Sequence, residues 1–267
     1  MEPLNILLLS LVQGLTEFLP VSSSAHLILV PVIFGFEDQG LAFDVAVHLG
    51  SLLAVIGYFR HEVLLILNDF FRSLTPDGAR TENSRMAWMI ILATIPIVIV
   101  GFAFKSLVEN DLRSTLVIAT TTILFGLLLY WFDVKGGKTR DEYSVRGKDA
   151  LIIGLLQTLA IIPGTSRSGI TITAGLMLGL TREAAARFSF LLAIPTILMS
   201  GGLVTLDLIQ ADVPVNWNEL LLGAALSFVS AYLCIHYFLK LIERIGMLPF
   251  VIYRLILGMA LILLLLP

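Results

Sequence analysis

Three stretches of this chain, 86–104, 114–132 and 188–206, carry no formal charge. Each covers most of the roughly 20 positions that a helix needs to cross a hydrocarbon core of about 30 Å. Nothing else constrains the fold so strongly, because backbone exposed to hydrocarbon satisfies its N–H and C=O groups only as a helix or a closed barrel. Two further stretches qualify with isolated polar residues: 41–59 with Asp44 and His48, and 220–239 with His236. A sixth, 247–266, contains Arg254, which reads as an interface residue snorkelling from about two turns in. Composition agrees: 14% of residues are charged and 57% hydrophobic, against about 25% charged in soluble domains, and mean hydropathy is +0.94. The expected class is an all-α polytopic membrane protein.

Four apolar pieces are too short to span: 4–19, 24–36, 150–163 and 168–180. Pro20 and the serines divide the first pair, and Pro163-Gly164 divides the second. Each pair reads as helix, break, helix, a re-entrant hairpin with its irregular tip buried in protein; one kinked spanning helix is the alternative. Basic residues gather in 60–85 (Arg60, Arg72, Arg80, Arg85), in 133–149 (Lys135, Lys138, Arg140, Arg146, Lys148) and in 240–246 (Lys240, Arg244). Segment 105–113 holds only Lys105 and Arg113, while 207–219 carries Asp207, Asp212 and Glu219 and no base. The basic segments share one side only if 150–180 returns to where it entered. The positive-inside rule then places them in the cytoplasm and both termini outside.

This ordering yields one membrane domain with two repeats. Residues 1–132 hold a re-entrant pair (4–36) and crossings 41–59, 86–104 and 114–132. After the basic linker 133–149, residues 150–267 hold a pair (150–180) and crossings 188–206, 220–239 and 247–266. An odd number of crossings inverts the second repeat, so the two tips are expected to meet near the midplane, as in inverted-repeat transporters. Aligning on the prolines pairs Pro20 with Pro163, Ser22 with Thr165, Ser23 with Ser166 and Ser24 with Arg167, leaving Gln13 and Gln157 one residue out of step. Cys234 has no second cysteine to pair with, and the opening Met1-Glu2-Pro3 lacks the basic region of a signal peptide.

Polar residues at the two breaks are costly in hydrocarbon and mark a site. Gln13 and Glu17, four apart, share a face of the first short helix. Ser22, Ser23 and Ser24 follow, with capping of the next helix as their commonest use. His26 lies in that helix's first turn, where an imidazole beside a carboxylate and hydroxyls can act as acid, base or nucleophile. In the second break, Gly164 lets amides converge, and Thr165, Ser166 and Ser168 add hydroxyls at a helix start suited to phosphate. Arg167 supplies a planar fork matched to phosphate oxygens, or a structural ion pair with Glu17. Asp44, His48 and Ser189 are candidates for an outer layer around these groups. His61 and His236 read as flanking residues, and Arg182, Glu183 and Arg187 as an interfacial turn. No H-E-x-x-H motif or cysteine cluster is present, but Glu17 can place one oxygen on a divalent ion shared with substrate phosphates. No Gly-rich nucleotide loop or basic-aromatic patch points to nucleic acid.

The segments QGLTEFLPVSSSAH (13–26) and PGTSRSGIT (163–171) closely resemble the undecaprenyl-diphosphate phosphatase, or bacitracin-resistance protein, family. ATIP (93–96), RFSFLLAIP (187–195) and YR (253–254) extend the likeness along the chain. The resemblance implies hydrolysis of undecaprenyl diphosphate at the outer face of the bacterial cytoplasmic membrane, and a divalent cation, Mg²⁺ or Ca²⁺. The family's E/Q-x-x-x-E pattern falls on Gln13 and Glu17, its histidine on His26, its first serine on Ser23 and its Ser-Arg pair on Ser166 and Arg167. The expected catalytic residues are then Glu17, Ser23, His26 and Arg167, and from the two helix starts the expected phosphate-binding residues are Gln13, Ser22, Ser24, Gly164, Thr165, Ser166 and Ser168. Where some members carry glutamate at the first position, Gln13 leaves one carboxylate. Expected partners are the polyprenyl lipid and membrane lipids, with a homodimer left open. Transport or flipping of a phosphorylated lipid is the other function that inverted repeats suggest.

Overall fold

The computed structural model of the chain describes residues 1–75, 78, 80–104, 114–211 and 216–264. The expected loop 105–113, Asp212 and the end of the last expected crossing lie outside the described residues. The helices run α1 (Pro3–Phe18), α2 (Ser23–Phe34), α3 (Gly40–Tyr58), α4 (Arg60–Ser73), α5 (Glu82–Ala103), α6 (Thr115–Lys135), α7 (Gly147–Gln157), α8 (Arg167–Met177), α9 (Arg182–Ala211), α10 (Trp217–Ile245) and α11 (Leu248–Leu264), with short 3₁₀ turns at Glu142–Ser144 and Thr158–Ile161. Among the described residues the only β pairing is an isolated bridge between Arg140 and Leu180. Helices α3, α5, α6, α9 and α10 are each long and apolar enough to cross a membrane. The protein is an all-α, polytopic membrane protein.

The outer surface is greasy in a regular way. On α5, Trp88, Ile91, Ile95, Ile99 and Phe102 are all exposed, and their three- and four-residue spacing makes one stripe facing lipid. The opposite side carries small residues that let backbones approach. A Cβ on Gly154 would sit 2.6 Å from the Ala93 carbonyl of α5, and one on Gly14 would sit 2.6 Å from Ser230 of α10. Thus α7 packs on α5 and α1 packs on α10. Hydroxyl and thiol contacts reinforce the second seam: Ser230 Oγ donates to Leu11 O at 3.0 Å, and Cys234 Sγ approaches Leu15 O at 3.2 Å.

Both short-helix pairs break for the same local reason. Leu19 and Ile162 each precede a proline, which drives them out of the helical region; both are extended, with ψ of 146° and 118°. Each chain then turns through a serine with positive φ, Ser22 (75°) and Ser166 (71°), at the start of the next helix. The backbone therefore pairs Ser22 with Ser166 rather than with Thr165. That register brings Gln13 and Gln157 into step and sets Ser23 opposite Arg167. Alignment on the prolines misses it because the second break has one more residue between proline and helix.

Two other expectations change. Segment 60–85 contains the helix α4, not only loop; Glu62 near its start and Arg72 near its end complement the helix dipole. Its Leu64, Leu65, Leu67 and Phe71 are exposed. Arg182, Glu183 and Arg187 belong to the first turns of α9. Arg182 pairs with Asp133 at 2.6 Å, and Arg187 bridges Glu62 and Glu142, tying α9 to α4, α6 and the linker.

Candidate active site

The two breaks meet. Ser168 Oγ of the second donates to Leu19 O of the first at 2.8 Å. Arg167 Nη2 reaches Glu17 Oε1 at 2.7 Å, while its Nη1 donates to Ser189 O at 3.1 Å. The other Glu17 oxygen accepts from Ser23 Oγ at 2.6 Å and from Gln13 Nε2 at 3.1 Å. Glu17 is 7% exposed and Gln13 fully buried, so this carboxylate has all its neutralising contacts from protein. A cavity of about 420 Å³ opens on the group, with Glu17, Ser22, Ser23, Ser24, Ser166 and Arg167 at its polar end.

Both helices that follow the breaks aim their N-termini at this space. Ser166 caps α8, its Oγ accepting from Gly169 N at 3.1 Å. Ser22 makes no side-chain cap on α2, contrary to the usual role of such a serine. Instead Ser22 and Ser24 hydroxyls lie 3.3 Å apart, and Ser166 and Ser168 hydroxyls 3.2 Å apart. A helix start with hydroxyls and no side-chain cap leaves amide N–H groups to an incoming anion. Gly164 is required in the second break: its φ is +88°, and a Cβ there would lie 2.3 Å from Thr121 Oγ1. Thr165 is buried, and its hydroxyl has no partner.

The histidines are arranged otherwise than the spacing implies. His26 Nδ1 lies 2.7 Å from Ser22 O, and Nε2 meets the hydroxyl of Tyr253, whose ring stacks on the imidazole at 5.6 Å. A carbonyl can only accept, so Nδ1 carries a proton, and in the neutral ring Tyr253 donates to Nε2. Both nitrogens are occupied, and neither by Ser23. His48 instead lines the cavity. Its Nδ1 donates to Asp44 O at 2.7 Å, which turns Nε2 toward Glu17 Oε2 at 3.7 Å. Asp44 accepts from Gln39 Nε2 at 2.7 Å. Ser189 lies behind Arg167, its hydroxyl 2.7 Å from Thr171 Oγ1.

Arg254 is the largest departure. It is not an interface residue but fully buried. Nε donates to Thr122 O at 3.0 Å and Nη1 to Pro20 O at 3.1 Å. Nη2 donates to Gly164 O at 2.9 Å and to Thr165 O at 3.0 Å. One guanidinium thus ties both breaks to α6. The YR pair at 253–254 is the only sequence sign of this, since an arginine two turns into a last helix reads equally well as a snorkelling residue.

Residues 6–260 match the family described as "Bacitracin resistance protein BacA". The chain belongs to this family. It is 60% identical to "Undecaprenyl-diphosphatase 2" of Stutzerimonas stutzeri (strain A1501), over 99% of this chain and 98% of the relative. It is 59% identical to "Undecaprenyl-diphosphatase 1" of Pseudoalteromonas translucida (strain TAC 125), over 98% of each chain. It is 58% identical to "Undecaprenyl-diphosphatase" of Nitrosococcus oceani, over 97% of each. Within the BacA family the meeting of the two breaks is the natural place to seek a phosphatase site.

Among the described residues no group of three or more His, Cys, Asp or Glu side chains forms a metal site. The donors beside the cavity still suit a hard cation that keeps water and substrate oxygens as ligands. They are the Glu17 carboxylate, which lines the cavity, with hydroxyls nearby; the buried, unpartnered Gln13 Oε1 lies one helix turn away, outside that lining.

Proposed function

We propose that this BacA-family enzyme hydrolyses undecaprenyl diphosphate to undecaprenyl phosphate and inorganic phosphate at the outer face of the cytoplasmic membrane, recycling a cell-wall lipid carrier and conferring bacitracin resistance. The observation that carries the reading is the convergence of Glu17, Ser23 and Arg167 from two separate breaks onto one cavity. The names of the relatives supply the reaction and the lipid. The inverted-repeat topology is part of the proposal. It is supported by the two matched serine turns, the two matched hydroxyl pairs and the cross-packing of α1 on α10 and α7 on α5.

The terminal phosphate is placed against the N-termini of α2 and α8, with Arg167 exchanging its Glu17 contact for phosphate oxygens. Glu17 Oε2, already hydrogen-bonded to Ser23 Oγ, takes the serine proton. Ser23 Oγ bonds to the terminal phosphorus as the bridging P–O bond breaks, and undecaprenyl phosphate leaves with that oxygen. Glu17 passes that proton to the departing undecaprenyl phosphate and, again a carboxylate, takes a proton from the water that attacks the phosphoserine; inorganic phosphate departs as Glu17 returns this proton to Ser23 Oγ. Serine is weak at its own pKa and needs an adjacent base; Glu17 holds that position, while His26 and Tyr253 orient Ser22. A direct attack by water, with Ser23 only positioning phosphate, is the competing route. Glu17 and Gln13 would hold a divalent cation, Mg²⁺ or Ca²⁺, which when bound neutralises charge on the phosphates.

Transport of a phosphorylated lipid is a second reading, favoured by the same repeat order. Purified protein in detergent, with no gradient, should release phosphate from undecaprenyl diphosphate and yield phosphoserine at Ser23 after rapid quench. No release under those conditions would reject the hydrolase reading in favour of a carrier.

A further inference from the structure

The cavity does not end at the phosphate groups. Beyond Arg167 it continues between α5 and α9 along Ile97, Val98, Gly101 and Phe102 on one side and Ile197 and Leu203 on the other. Phe102 is 74% exposed and Leu203 40%, and Phe102 belongs to the lipid-facing stripe of α5. The far end therefore opens to hydrocarbon. The hydroxyls along this wall are turned away: Thr196 Oγ1 donates to Leu192 O at 2.8 Å and Ser200 Oγ to Ile197 O at 3.3 Å. Neither has a proton left to donate to a ligand. Pro96 and Pro195 each precede this wall inside their helix. Each removes a helix hydrogen bond and favours a bend there, which suits two helices that part. A Cβ on Gly101 would meet nothing within 4 Å, so the glycine leaves groove volume empty rather than allowing close packing.

We infer that the wall between α5 and α9 seats the first isoprene units of the polyprenyl chain, and that Gly101 sets the space for them. The inference rests on the diphosphatase reading. One cavity has an anion-binding end and an apolar end open to lipid, which matches an amphiphile with its diphosphate fixed and its chain trailing into the bilayer. Lipid tails are as apolar as the groove, so moving a chain into it yields little hydrophobic gain. The groove's effect is orientation of the chain, which a substrate without isoprene units does not use.

The experiment compares undecaprenyl diphosphate with methyl diphosphate, which carries no isoprene unit, on parent protein and Gly101→Leu in detergent. The substitution adds a good helix former at a position where a Cβ meets nothing within 4 Å. The ratio of kcat/KM for the undecaprenyl over the methyl substrate should fall at least about 10-fold, equivalent to about 1.4 kcal/mol. An unchanged ratio overturns the inference, whether both rates persist or both fall together. If the parent hydrolyses neither substrate, the diphosphatase reading fails, and a second measurement still decides the groove. A polyprenyl diphosphate bearing a diazirine on its first isoprene units should label 97–102 or 197–204, and excess undecaprenyl phosphate should displace it. Labelling confined elsewhere, or undiminished by that competitor as for bulk lipid, overturns the assignment.

Discussion

Replacing Arg254 with lysine keeps the positive charge and removes the fork. Four backbone carbonyls from α6 and both breaks lie 2.9 to 3.1 Å from its nitrogens. An ammonium has its three donors on one atom, and one atom cannot stand where Nε, Nη1 and Nη2 stand. It satisfies two of these carbonyls at best. Each hydrogen bond to a charged group contributes about 1.5–3 kcal/mol, so losing two costs on the order of 3–6 kcal/mol. That is a large share of the roughly 5–15 kcal/mol that holds a typical protein folded. Arg254→Lys should therefore lower the apparent unfolding temperature in detergent by several degrees and reduce phosphate release, because Pro20 and Gly164 are no longer held to one centre. Arg254→Met, which removes every guanidinium donor from these carbonyls and leaves Gly164 O only the 3.3 Å contact from Thr122 Oγ1, should be worse on both counts. As a local control, Thr122→Ala removes only a 3.3 Å hydroxyl contact to Gly164 O and leaves the Thr122 carbonyl in place; it should cost about 1 kcal/mol or less. Arg254→Lys with the parent's unfolding temperature and turnover would refute the clamp.

Three further outcomes are expected. Arg167→Lys should cut hydrolysis at least about 10-fold, since a bidentate fork becomes a point charge; parent-like kcat/KM in a folded variant removes Arg167 from phosphate binding. Gln13→Glu places a second carboxylate at the 3.1 Å contact with Glu17, so the divalent-ion concentration for half-maximal activity should drop; an unchanged value seats the ion elsewhere. The Asp69 carboxyl is held below its ordinary 3.8 by hydrogen bonds from Thr81 and Asn83. Its staple between α4 and α5 should persist at neutral pH and loosen only as pH falls below that value, read as faster amide exchange in 60–73; loosening that begins near pH 6 contradicts this sign.

What was legible along the chain was whatever depends on neighbours in sequence. Three uncharged stretches and two with isolated polar residues marked the five helices long and apolar enough to cross, and prolines after short apolar pieces marked both breaks, because helix continuation and hydrocarbon solubility are decided within a few residues. The polar sets around Glu17 and Arg167 were visible for the same reason, since such groups are costly wherever lipid surrounds them. Helix α4 was not legible, because its run of apolar residues mixed with charges lacks the length of a crossing and resembles a loop. Which side chains face one another was decided only in three dimensions. The approach of α1 to α10 at Gly14 and of α7 to α5 at Gly154 brings the two breaks together. That meeting gives Ser23 to Glu17, turns His48 rather than His26 toward the carboxylate, and encloses Arg254 among carbonyls from α6 and both breaks. An arginine's burial depends on what packs over it, and residues more than 80 positions away along the chain supply that cover.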